Sequence, residues 1–100
     1  MDVAQSKNGV LIRLTEERWF HITENHDDLA GYYDEVLQIV EEPDYSIEGY
    51  GDALIALREV EKGKFLAVVY QEVTTDGFIV TAYFTRKVKL ERRTIIWRKL

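Results

Sequence analysis

The chain reads as an α+β domain: a short N-terminal strand and two helices packed on one face of an antiparallel sheet of about four to five strands. Three observations predict this. Phe65–Val73 and Phe78–Thr85 are runs of β-branched and aromatic residues on either side of Thr74-Thr75-Asp76-Gly77, the pattern of a β-hairpin whose Asp-Gly supplies a positive φ. Residues 16–25 and 29–40 carry apolar side chains at helical spacing, and both precede the strands, so the helices gather on one side of the sheet. The chain has 100 residues, of which 46% are hydrophobic, enough for one core without disulfides and too few residues for a second domain.

Residues 1–8 are polar and are expected to fray. Val10–Leu14 is a short edge strand, and Thr15 follows it as a helix N-cap, its hydroxyl able to accept from first-turn amides. Glu16 and Glu17 suit the positive end of the helix dipole. The helix should run from Glu16 to Asn25 with Trp19, Ile22 and Thr23 toward the sheet. Asp27-Asp28 caps a second helix through Leu29, Tyr32, Tyr33, Val36, Leu37 and Val40, which stops at Glu42 because the residue before Pro43 disfavours helix. Residues 44–47 are extended, and a loop at 48–52 leads to a strand over Ala53–Val60. A short turn at Lys62-Gly63 joins that strand to the hairpin.

Uninterrupted pairing in the hairpin sorts its side chains onto two faces. One, the expected core face, holds Phe65, Ala67, Val69, Val73, Phe78, Val80, Ala82 and Phe84. The other holds Leu66, Val68, Tyr70, Ile79, Thr81, Tyr83 and Thr85 and concentrates hydroxyls, which makes it the expected site, open to solvent. Arg58 falls on the core-face parity, where a guanidinium needs a partner, so it belongs at the sheet margin or in a site.

Charge is distributed unevenly. Residues 1–85 hold 6 Lys+Arg against 17 Asp+Glu, a net of −11, whereas residues 86–100 hold 7 against 1, a net of +6. That basic C-terminal arm is either a final strand or helix with solvated cations or a local phosphate-binding surface on an acidic protein. The chain contains no cysteine, which excludes thiol catalysis and cysteine-zinc sites. No segment is long and apolar enough to span a bilayer, and the expectation is a cytoplasmic protein without a membrane partner.

The two histidines, His21 and His26, lie five residues apart, about 140° around a helix, and cannot chelate one metal from it. No metal or cofactor is expected. Metal-free acid–base chemistry needs a proton acceptor, a donor and groups that stabilise developing charge. His26, His21 and Glu17 can exchange protons; Tyr70, Thr81, Tyr83 and Thr85 can position; Arg58, Arg86 and Lys87 can stabilise an anion.

The segments LTEERWFHITENH, IVEEPDY, FLAVVYQE and GFIVTAYFTRK, between Val10 and Lys87, together resemble the small phage- and mobile-element-associated nuclease domains of the barnase-EndoU-colicin-RelE superfamily. The resemblance implies a metal-independent ribonuclease of toxin or effector type, in which the ribose 2'-hydroxyl attacks the adjacent phosphorus. It implies His26 or His21 as general base or acid, Arg58 and Arg86 holding the scissile phosphate, and Thr81, Tyr83 and Thr85 orienting it. The partners expected on this reading are RNA, through residues 86–100, and an antitoxin or inhibitor protein. The competing expectation is a non-enzymatic interaction module whose aromatic surfaces bind a partner protein or a second copy.

Overall fold

The computed structural model describes residues 1–74 and 76–100. Their elements are β1 (Asp2–Gln5), β2 (Leu11–Leu14), α1 (Glu16–Asn25), a 3-10 turn (Asp27–Leu29), α2 (Tyr33–Glu41), β3 (Tyr45–Glu48), β4 (Leu54–Glu61), β5 (Lys64–Val73), β6 (Asp76–Thr85), a second 3-10 turn (Leu90–Arg92) and β7 (Ile95–Arg98). The seven strands form one sheet in the order β1-β2-β6-β5-β4-β3-β7. Every neighbouring pair is antiparallel except β2 and β6. The α+β class holds, with two helices, but the sheet has seven strands rather than four to five.

Both additional strands lie where sequence patterning is weakest. Residues 2–5, expected to fray, pair with β2 and bury Ala4. Residues 95–98 of the basic arm pair with β3. The tip of the β1–β2 hairpin is fastened across the sheet: Ser6 Oγ donates to Glu72 at 2.5 Å and Asn8 Nδ2 donates to the other oxygen of the same carboxylate at 2.9 Å. Two neutral donors on one carboxylate hold the turn over the end of β5, a long-range contact that short polar residues do not advertise.

α1 forms where expected, with Thr15 Oγ1 accepting from the Arg18 amide at 3.1 Å. It buries Ile22 and packs Trp19 edge-on against Tyr33 at 5.4 Å. The expected second helix is instead a 3-10 turn followed by α2, separated at Gly31, whose φ of 87° is incompatible with a continuing helix. α2 buries Val36, Ile39 and Val40 against β1, β4 and β5. The turn at Lys62-Gly63 is as expected, with Gly63 at φ 77°.

The β5–β6 hairpin differs in a way that decides the site. Its loop has two residues between the paired Val73 and Asp76; Thr74 takes the positive φ, 52°, and Thr75 lies outside the described residues. Gly77 is therefore a strand residue and not the turn glycine. It is there because a Cβ would overlap the Gln71 carbonyl oxygen and stand 2.7 Å from Ile12 Cδ1. Farther along, the register passes from Tyr70↔Ile79 to Val69↔Thr81, leaving Val80 as an extra residue in β6. Such a bulge shifts side-chain parity on one strand alone.

The parity shift overturns the expected division of faces. Leu66, Val68, Tyr70, Ile79, Ala82 and Phe84 form the helix-side core with Ile12, Leu14, Ile22 and Val36. Phe65, Ala67, Val69 and Tyr83 lie on the outer face. That face is not simply open. Residues 86–94 cross it as a strap, packing Val88 and Leu90 over Ile47, Ile55, Leu57 and Ala67 before β7 begins. A second, smaller apolar cluster results.

Candidate active site

β2 pairs with β6 only from Asp76 to Phe78, because the chain turns into α1 at Thr15. Beyond that point the outer edge of β6 has no strand partner, and α1 packs alongside it. Arg18, Ile22 and His26 recur every fourth residue and so share one helix side. Ile22 is buried in the core, Arg18 Nη1 approaches the Val80 carbonyl at 3.5 Å, and the half-buried His26 ring stands 6.2 Å from the Tyr83 ring. His26 also ends the helix, its amide donating to the Ile22 carbonyl at 2.8 Å, so its backbone position is fixed.

Tyr83 and Thr85 project on the outer face opposite Ala67 and Phe65, and Thr81 projects there opposite Val69. Where the strap leaves β6, Tyr83, Thr85, Lys87, Lys89 and Arg93 line a small cavity of about 50 Å³ over the apolar floor of Ile47, Ile55 and Leu57. Thr85 Oγ1 accepts from the Lys87 amide at 3.0 Å and fixes the strap's departure. Arg93 anchors its far end by donating to the Glu48 carbonyl at 3.4 Å. The cavity's volume is enough for a water-sized polar group.

Among the residues singled out in the sequence, the structure thus brings His26 to Tyr83 and gathers Tyr83, Thr85 and Lys87 around one cavity, while Thr81 shares their face of β6. It separates the others. His21 is exposed on the far side of α1, its Nδ1 3.6 Å from Glu24. Arg58 faces the helix side, where Nη2 donates to the Glu42 carbonyl at 2.7 Å and closes the C-terminus of α2. It lies at the sheet margin, on the face opposite Tyr83 and apart from the residues with which the resemblance grouped it. Arg86 turns to Glu61 at 3.4 Å, beside the Lys62-Gly63 turn. Tyr70 is 1% exposed in the core. Burial raises its pKa, the Glu72 charge adds to the rise, and the nearby Ser46 hydroxyl acts in the opposite direction without completing a well-formed hydrogen bond. Tyr70 consequently cannot meet a substrate on the outer face.

Arg18 and Lys89 are not among the site residues expected from the sequence. Arg18 carried a signal, its spacing of eight residues from His26, two turns along one helix side. Lys89 carried none beyond membership of a basic segment, because only the strap's path decides which cations lie near Tyr83. Among the described residues, no group of three or more His, Asp or Glu side chains is placed to hold a metal ion, and no helix is long and apolar enough to cross a membrane. Comparison with known proteins finds no matching family model, no matching curated protein and no matching solved structure.

Proposed function

We propose that the protein is a metal-independent ribonuclease acting at the outer edge of β6. The observation that carries this reading is Tyr83, which stands 6.2 Å from the His26 ring and also lines the cavity that Lys87, Lys89 and Arg93 border. Through Tyr83 a proton acceptor lies on one side and three cations on the other, the kinds of group that cleavage of a phosphodiester by its own 2'-hydroxyl requires. His26 takes the 2'-hydroxyl proton as the 2'-oxygen attacks phosphorus. The bond to the 5'-oxygen breaks, that oxygen takes a proton from water, and the products are a 2',3'-cyclic phosphate and a 5'-hydroxyl end. Tyr83 donates a hydrogen bond to a non-bridging oxygen, while Lys87, Lys89 and Arg93 offset the charge that accumulates there.

The resemblance to the barnase-EndoU-colicin-RelE nuclease domains supports the same chemistry, with Arg18 and the strap cations in the places that Arg58 and Arg86 were expected to fill. A toxin or effector role and an inhibitor partner follow from that resemblance alone. The test is an assay of the purified chain on total RNA with chelator present. His26→Ala should slow cleavage by about 10²–10⁴ if the imidazole moves a proton in the transition state. His21→Ala should leave the rate unchanged. Intact RNA after prolonged incubation with the wild-type chain, freed of any bound inhibitor, would refute the enzymatic reading. A non-enzymatic interaction domain is the second reading, favoured by an uncovered apolar strip at the other end of the same sheet face.

A further inference from the structure

The outer face of the sheet carries an apolar cluster toward each end, and the strap covers only one of them. Over β3, β4 and β5 the strap supplies Val88 and Leu90 as cover. At the other end, the registers β1–β2, β2–β6 and β5–β6 place Val3, Leu11, Phe78 and Val73 on that same face, and among the described residues none covers them. They are 48%, 50%, 37% and 52% exposed. Four large apolar residues on adjacent strands form one patch, whereas apolar side chains exposed singly would need no explanation. Such patches mark interaction surfaces.

We infer that this patch is the interface of a homodimer, in which two copies pack outer face to outer face about a two-fold axis. The argument rests on charge. In the middle of the patch Arg13 and Asp76 form an ion pair, with their side chains 41% and 47% exposed. The charged side chains of this strip are therefore one cation and one anion on neighbouring strands, whereas residues 1–85 as a whole carry a net −11. A two-fold interface must be complementary to itself, each group of one copy meeting a different group of the other. The patch satisfies this: Arg13 can face the partner's Asp76 twice over, with the apolar side chains closing around both pairs. A basic ligand would be drawn to the strongly acidic parts of the body, and an acidic one to residues 86–100. The neutral strip is where two like-charged copies approach with least repulsion. The inference does not depend on the cleavage chemistry, and the patch leaves the His26–Tyr83 edge outside it.

Light scattering and sedimentation of the full chain over a range of concentrations test the proposal. The wild-type chain should dimerise. Leu11→Asp and Phe78→Asp, both at exposed positions, should each raise the dimer dissociation constant by at least about 100-fold, since symmetry buries the new carboxylate twice in an apolar contact. Their circular dichroism and thermal midpoint measured at monomer concentrations should stay as in the wild type, which separates lost association from lost folding. Arg13→Asp should weaken the dimer by setting like charges opposite each other, and the double exchange R13D/D76R should restore it. A wild-type monomer at millimolar concentration would overturn the inference, whether or not another protein binds the patch. So would open-ended assembly beyond two copies, or a dimer indifferent to both aspartate substitutions.

Discussion

Replacing Gly77 by alanine tests the account of the hairpin at its tightest point. Gly77 lies in β6 between Ile12 of β2 and Glu72 of β5, in register with both. A Cβ would overlap the Gln71 carbonyl oxygen and approach Ile12 Cδ1 to 2.7 Å. Neither can yield cheaply: the first is backbone in a paired strand, and Ile12 is fully buried. Overpacking of a fixed site costs about 1–3 kcal/mol, and this case belongs at the upper end, near 3. Gly63→Ala provides the contrast, because a Cβ there meets nothing within 4 Å and the strain is only that of φ 77°. That conformation costs an alanine about 1 kcal/mol. In a domain of this size 1 kcal/mol moves the thermal midpoint by about 4–8 °C, so the expected losses are roughly 12–24 °C for Gly77→Ala and roughly 4–8 °C for Gly63→Ala. Asparagine separates the two causes, since it tolerates the left-handed region. Gly63→Asn should recover most of its loss, and Gly77→Asn none. Equal losses for the two alanine variants, or rescue of Gly77 by asparagine, would refute close packing and return Gly77 to the role of turn glycine.

Two further measurements follow from the charges. The Tyr33 pKa is raised to about 12, first by burial and then by the hydrogen bond its hydroxyl donates to Asp2 at 2.7 Å. The unfolded phenol ionises near 10, so the folded state's advantage is complete below about pH 10 and is lost as the pH rises toward about 12. Denaturant titrations across that interval should show stability falling with pH, with a shallower fall in Tyr33→Phe; an equal slope in the variant would remove Tyr33 as the cause. RNA affinity, measured against salt, should depend on the strap. Replacing Lys87, Lys89 and Arg93 by alanine should reduce the slope of log K against log salt by about 2, from three lost phosphate contacts on a single strand. An unchanged slope would place the RNA elsewhere.

Much of the local structure was legible in the chain because its causes are local. α1 starts at Glu16 because Thr15 can cap it and two glutamates favour its positive end, and the observed bounds are those expected. The strands β4, β5 and β6 follow from β-branched runs, and the two-residue turn at Lys62-Gly63 follows from a glycine free to take positive φ. For the site, the outer-face positions of Thr81, Tyr83 and Thr85 agree with the sequence reading, as does the orientation of His26 toward the sheet, while Tyr70 and Arg58 do not.

What only the tertiary structure decided depends on contacts between residues far apart in the chain. One extra residue, Val80, exchanges the faces of β5 relative to the end of β6, and so sends Tyr70 into the core and leaves Tyr83 outside. Its place is seen only in the pairing of β5 with β6. β1 exists only because the β2 edge and the Glu72 carboxylate receive it, and β7 only because β3 offers an edge. The strap's cations face Tyr83 because Val88 and Leu90 find an apolar floor on a surface built from three other strands. The sequence by itself determined α1 and the strands β2, β4, β5 and β6, and which residues carry acid–base, hydroxyl and cationic groups. Their meeting was decided by long-range pairing, whose energy comes from burying surfaces that no short stretch contains.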